Sequence, residues 1–193
     1  MKERLLTEEQ RDALQEMMNI SMGQAAKSLA QLIDTQITLS IPTISEASPS
    51  DLLALLSHSD KTWYARQSFL GQIKGEVLSL ISKEGCDALA ELMDYEEPLS
   101  ETQMQELILE LANIMSGACL SGLSAQLELK SHLNMPTIFN PQANEKTNYS
   151  WATALLVEVC FSIESFSFNT RVVICLEENS IIALKASLDT LIG

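Results

Sequence analysis

Cations are scarce in this chain: 12 Lys and Arg stand against 26 Asp and Glu in 193 residues. Nucleic acid and anionic membrane both need a basic surface, so neither is expected as the main partner. Histidine is limited to His58 and His132, neither near a cysteine in sequence, and both read as surface or strand residues without a ligand role. Cys86, Cys119, Cys160 and Cys175 are widely spaced and contain no C-x-x-C pair. A chain of this size and apolar content needs no disulfide staples, so all four read as reduced, mostly buried thiols of a cytoplasmic protein. Long hydrophobic runs are missing too. Stretches such as Ala152 to Cys160 are too short and interrupted to span a bilayer. The polar start Met-Lys-Glu-Arg reads as lacking a secretory leader.

What is present is a pattern that occurs twice. Glu16, Asn19 and Pro42 recur as Glu110, Asn113 and Pro136, each pair 94 positions apart. Between Leu5–Ile44 and Leu99–Ile138, ten of forty aligned residues are identical: Leu5, Glu16, Asn19, Ile20, Gly23, Leu29, Leu39, Pro42, Thr43 and Ile44. The later parts align with one extra residue, Val77–Met93 over Val172–Leu188. Repetition at fixed offset marks a duplication. No Gly, Ser or Pro linker divides the copies, and Glu96–Ser100 is a short join. Residues 1–193 therefore read as a single domain of two repeats, about 5–95 and 99–193.

Each repeat reads helix, strand, strand, strand, helix, an α+β unit. Thr7 with Gln10, and Ser100 with Gln103, are capping-box pairs that open the long helices. Ile37, Leu39 and Ile41 alternate with Thr38 and Ser40 as a half-buried strand that Pro42 should stop; Leu127 to Met135 should end likewise at Pro136. Ser45 to Lys61 reads as a connection holding a short helix at Asp51–Leu56. Trp63–Ile73 and Glu76–Ser82 are expected strands, with a helix over Lys83–Met93. In the second half, Phe139–Ser150 reads as a loop, and Ala152–Glu164 with Phe166–Leu176 as a strand hairpin. Asn179 should cap a last helix, Ser180–Leu191. Trp63, Trp151 and the methionines, Met17, Met18 and Met22 among them, are expected to pack.

Glu16 and Asn19 lie at i and i+3 on one helix face, with Asp12 before them and Gly23 after. Glu106, Glu110, Asn113 and Gly117 repeat the ridge. An asparagine amide cannot act as a general base, but it offers an acceptor and a donor that can hold a water. A neighbouring carboxylate can pair with a partner's cation and set the docking register. Such a pair suits hydrolysis of a bond that another molecule brings; it does not suit nucleophilic catalysis, and it supplies too few ligands for a metal. The plain alternative is a solvated face, with the glycines marking close helix packing on the sheet and the prolines ending strands. Asn and Gly inside a helix cost about 0.5–1 kcal/mol each relative to Ala, and accepting that twice at matched sites favours function.

The pattern Asp/Ser-x-x-x-Glu-x-x-Asn-x22-Pro resembles the signature of the CheC family of chemotaxis phosphatases (CheC, CheX and FliY), and is most like its two-site CheC members. Asp12, Glu16, Asn19 and Pro42 match all four positions; Glu110, Asn113 and Pro136 match three, with Glu106 where the family prefers Asp or Ser. The resemblance implies a pseudo-twofold duplication of an αβββα unit, with a continuous antiparallel sheet and two long motif helices on one face. It implies a CheY-type response regulator as partner and its aspartyl phosphate as substrate. Asn19 and Asn113 would place the attacking water, and Glu16 and Glu110 would pair with the regulator's lysine. Mg2+ is expected on the partner receiver domain, with no cofactor of the chain's own. A non-catalytic module that sequesters a response regulator or a CheD-type deamidase is the competing expectation. A structural part of the flagellar switch is a third, against which the intact Glu-Asn pairs argue.

Overall fold

The computed structural model describes residues 4–57, 59–141 and 154–193. The two long motif helices are α1 (Glu8–Ile33) and α4 (Glu101–Gln126). Both begin at the expected capping boxes: Thr7 and Ser100 accept from the backbone N–H of Gln10 and Gln103, whose side chains reach back to the cap N–H. Every fully buried apolar residue of α1, from Leu14 through Met18, Met22, Ala25 and Leu29 to Ile33, falls on one stripe at helical spacing. The α4 helix is long and apolar enough to cross a bilayer by composition, but its stripe, Leu107 to Leu123, is packed in the core. The two helices pack on each other, with Gly122 at the contact: a methyl group there would meet Ser21 Oγ at 2.7 Å. Met18 and Met22 are fully buried, as expected of gap-filling methionines.

Eight strands form one antiparallel sheet: β1 (Thr38–Leu39), β2 (Thr43–Ala47), β3 (Thr62–Gly71), β4 (Gly75–Ser82), β5 (Ser131–Leu133), β6 (Thr137–Ile138), β7 (Ala154–Ile163) and β8 (Phe168–Leu176). The order is β1-β7-β8-β4-β3-β5, with β2 also on β7 and β6 also on β3. The short strands of each repeat thus lie on the long hairpin of the other, and β4 against β8 joins the halves at the centre. Residues alternate across the sheet. Phe69, Val77, Phe161 and Val172 face α1 and α4, whereas Tyr64, Leu78, Leu156, Val173 and Cys175 build a second cluster with Leu52 and Leu56 on the opposite face. Phe69 and Phe161 are wholly buried, each contributing about 1.5–3 kcal/mol of apolar burial. The remaining helices are α2 (Pro49–Leu55), α3 (Cys86–Leu92) and α5 (Glu178–Ile192).

Several expected boundaries move. Proline does not stop the edge strands. Leu39 pairs with Phe161 and Thr43 with Glu158, so three residues on the edge face two on β7. Leu133 pairs with Phe69 and Thr137 with Arg66, which repeats the same one-residue bulge. Pro42 and Pro136 sit at the bulges, where a missing N–H breaks no ladder bond, and the strands resume beyond them. The extra residue flips the alternation: Leu39 packs on the core, Ile44 packs on it five residues later, and Ile41 between them is 74% exposed. Ile41 is therefore no member of the buried strand face. The cap of α5 is Glu177, without a side-chain cap bond, and Asn179 lies inside the first turn. The α3 helix starts at Cys86, after Gly85 in the left-handed region, three residues later than expected. Of the loop expected over Phe139–Ser150, Phe139 to Pro141 are described and the rest lies outside the described residues, as do Trp151 and His58.

Candidate functional site

The α1 ridge places Asp12, Glu16 and Asn19 on the exposed side of the helix, and the α4 ridge does the same with Glu106, Glu110 and Asn113. Leu14, Met18 and Met22 turn inward between the ridge residues, which fixes the outward direction of the motif. Gly23 and Gly117 continue the ridges, and a methyl group on either would meet no atom within 4 Å. Close packing against the sheet therefore does not account for these two glycines. The close helix contact is made by Gly122, which the sequence reading passed over because its repeat counterpart is Ser28.

Each bulge is braced to its surroundings by one buried or half-buried amide. In the first repeat Gln15, the neighbour of Glu16, donates Nε2–H to the carbonyl of Pro42 at 2.7 Å. At the second bulge Gln67 of β3, which comes from the first repeat, donates to the carbonyl of Asn134 at 2.7 Å and to Oδ1 of Asn113 at 2.9 Å. Tyr95 donates its hydroxyl to Glu110 Oε2 at 3.1 Å. Burial, and then the carboxylates of Glu110 and Glu106, raise the Tyr95 phenol above its ordinary pKa of 10, so it remains a donor at neutral pH. Pro42 is buried and Pro136 half-buried. Directly before them, Ile41 and Met135 stand 74% and 87% exposed at repeat-equivalent positions. These two side chains were not singled out from sequence, although the 94-residue spacing and the adjacent prolines were the available signal.

Three clefts of the described surface lie elsewhere: one beside Thr35 and Ser165, one beside Trp63 and Phe139, one beside Leu5 and Ile182. The motif residues line none of these three and stand exposed on the outer side of their helices. A small substrate needs concave enclosure; an exposed ridge of carboxylate and amide, continued by bare backbone, suits contact with another macromolecule. Chemically the ridge can accept from a cation, and it can donate to and accept from a water or an oxyanion.

Fold and twin motif together define a duplicated α+β protein of the CheC/CheX class. Residues 63–159 match the family described as chemotaxis phosphatase CheX, and residues 9–46 match the CheC-like family. The first match spans half of the chain, and the chain belongs to that chemotaxis phosphatase family. Among solved structures, the fold is similar to Thermotoga maritima FliY (TM-score 0.72, 19% identity, covering 97% of this chain and 99% of that one). It is also similar to the FliM middle domain from H. pylori (TM-score 0.69, 10% identity, 94% and 99%). A third likeness is to CheX in a CheX-CheY-BeF3-Mg2+ complex from Borrelia burgdorferi (TM-score 0.55, 18% identity, 83% and 97%). These likenesses bear on fold.

Proposed function

We propose that the chain is a phosphatase that hydrolyses the aspartyl phosphate of a CheY-type receiver domain in the cytoplasm. The observation that carries this reading is the exposure of both Glu-Asn pairs, each next to an open glycine, in a member of the CheX family. Asn19 and Asn113 insert toward the receiver and hold a water in line with the acyl phosphate. Glu16 and Glu110 pair with a cationic side chain beside it. The receiver supplies the phosphoryl group and its Mg2+; this chain supplies position. A hundredfold acceleration corresponds to about 2.7 kcal/mol, within what ordering one water can deliver without a base. The solved complex of a CheX with CheY supports a receiver as the partner class.

The test is phosphate release from a labelled receiver. Asn19→Ala and Asn113→Ala should each lower the rate, and the double change should reduce it by roughly tenfold or more, to the receiver's own rate. A double variant as fast as wild type would overturn the reading.

The likeness to the FliM middle domain favours a second reading, a non-catalytic module that holds a receiver or a CheD-type deamidase. It predicts receiver binding with no gain in hydrolysis, so the same assay separates the two.

A further inference from the structure

We infer that Gln67 is a positioning residue for the second motif, locking the Asn113 amide with its NH2 group outward, and that the first motif has no such lock. This rests on the proposed phosphatase reading for its kinetic consequence, but not for its geometry. A backbone carbonyl can only accept, so the end of Gln67 that meets the carbonyl of Asn134 at 2.7 Å must be Nε2. That nitrogen has one further hydrogen, and it goes to Asn113 at 2.9 Å. Asn113 must therefore turn Oδ1 inward. Its NH2 group makes no hydrogen bond among the described residues and is left for a partner.

The repeat supplies an internal comparison. Thr43 and Thr137 are equivalent, and they pair with Glu158 and Arg66; Leu39 and Leu133 are equivalent, and they pair with Phe161 and Phe69. The counterpart of Gln67 is therefore Val159, fully buried and unable to donate. Among the described residues the Asn19 side chain has no hydrogen-bond partner, and the bulge brace of its half comes from Gln15, whose counterpart is Leu109. Gln67 is 2% exposed and its Oε1 is buried without a partner. Stability alone favours a valine there, as at Val159 beneath the first motif. The glutamine does what valine cannot: it removes the free rotation of an exposed amide before the partner arrives. Ordering one such side chain in advance is worth up to about tenfold in rate.

Two measurements test this. In the free protein, 15N relaxation should find the Asn113 side-chain NH2 rigid and that of Asn19 mobile, and Gln67→Val should release Asn113. Equal mobility of the two amides in wild type overturns the lock whatever the activity. In receiver dephosphorylation, Gln67→Val in the Asn19→Ala background should lower kcat by about three- to tenfold with KM unchanged. The same change in the Asn113→Ala background should lower it clearly less. Equal loss in both backgrounds, with a lowered Tm, would make Gln67 merely structural and overturn the proposal. Full activity of the Asn19→Ala, Asn113→Ala double variant would sink the phosphatase reading while leaving the relaxation result to decide the lock.

Discussion

The glycines separate packing from function one residue at a time. Gly23 and Gly117 sit inside helices with open space where a side chain would be, so Gly→Ala at either should raise stability by about 0.5–1 kcal/mol through helix propensity. If the partner's surface comes down on that bare backbone, the same change weakens receiver binding. Thermal unfolding and a receiver titration on the same variants read the two effects with opposite sign; unchanged binding would remove the glycines from the interface. Gly122→Ala should instead destabilise by about 1–3 kcal/mol, since the new methyl meets Ser21 across the α1–α4 contact. Sequence spacing was enough to place Glu16, Asn19, Glu110 and Asn113 on exposed ridges, because i, i+3 geometry on an amphipathic helix leaves few alternatives. It could not reveal Gln67, Gln15 or Tyr95. Their roles depend on which strand lies under which helix, and no local pattern carries that.

At the scale of elements, helices were the legible part because their caps and stripes are local, and the motif helices begin where the capping boxes say. Edge strands were not. A proline reads as a stop, yet here it occupies a bulge, and the alternation changes phase across it so that Ile41 and Met135 point outward. The strand and helix interiors also hold three buried thiols, Cys86, Cys119 and Cys175, while Cys160 on β7 is exposed. Burial, and secondarily the charge of Asp87, raises the Cys86 thiol from 9.0 to about 12; burial also raises Cys119 and Cys175. Raised pKa values favour the protonated, folded form, so this stability is complete below pH 9 and is lost as pH rises toward 12. The urea midpoint should therefore fall steadily from pH 9 upward, and less steeply in Cys86→Ala. At pH 8 a thiol reagent should titrate Cys160 fast and the other three only on unfolding. A pH-independent midpoint, or two or more fast thiols, would contradict the burial assignment.

Across the whole molecule the halves are interlaced rather than joined end to end. The edge strands β1 and β2 pair with β7, β5 and β6 pair with β3, the two halves of the sheet are joined through β4 on β8, and α1 packs on α4. Even the ion pairs obey the pseudo-twofold, with signs exchanged. Arg66 pairs with Glu76, and the equivalent positions hold Glu158 and Arg171 at 2.8 Å. A half cut free would lose the partner of its edge strands, expose one side of its central strand and bare the apolar stripe of its motif helix. Each of those losses is large against a net stability of about 5–15 kcal/mol. Residues 1–96 and 97–193 made separately should therefore give no folded monomer. Mixed, they should regain a cooperative thermal transition and, if the motif reading holds, receiver dephosphorylation. The measurement is circular dichroism melting of each piece and of the equimolar mixture, with mass from light scattering. A single half that melts cooperatively as a monomer would mean that the interlaced pairing is dispensable, and that each motif ridge can be carried by its own repeat.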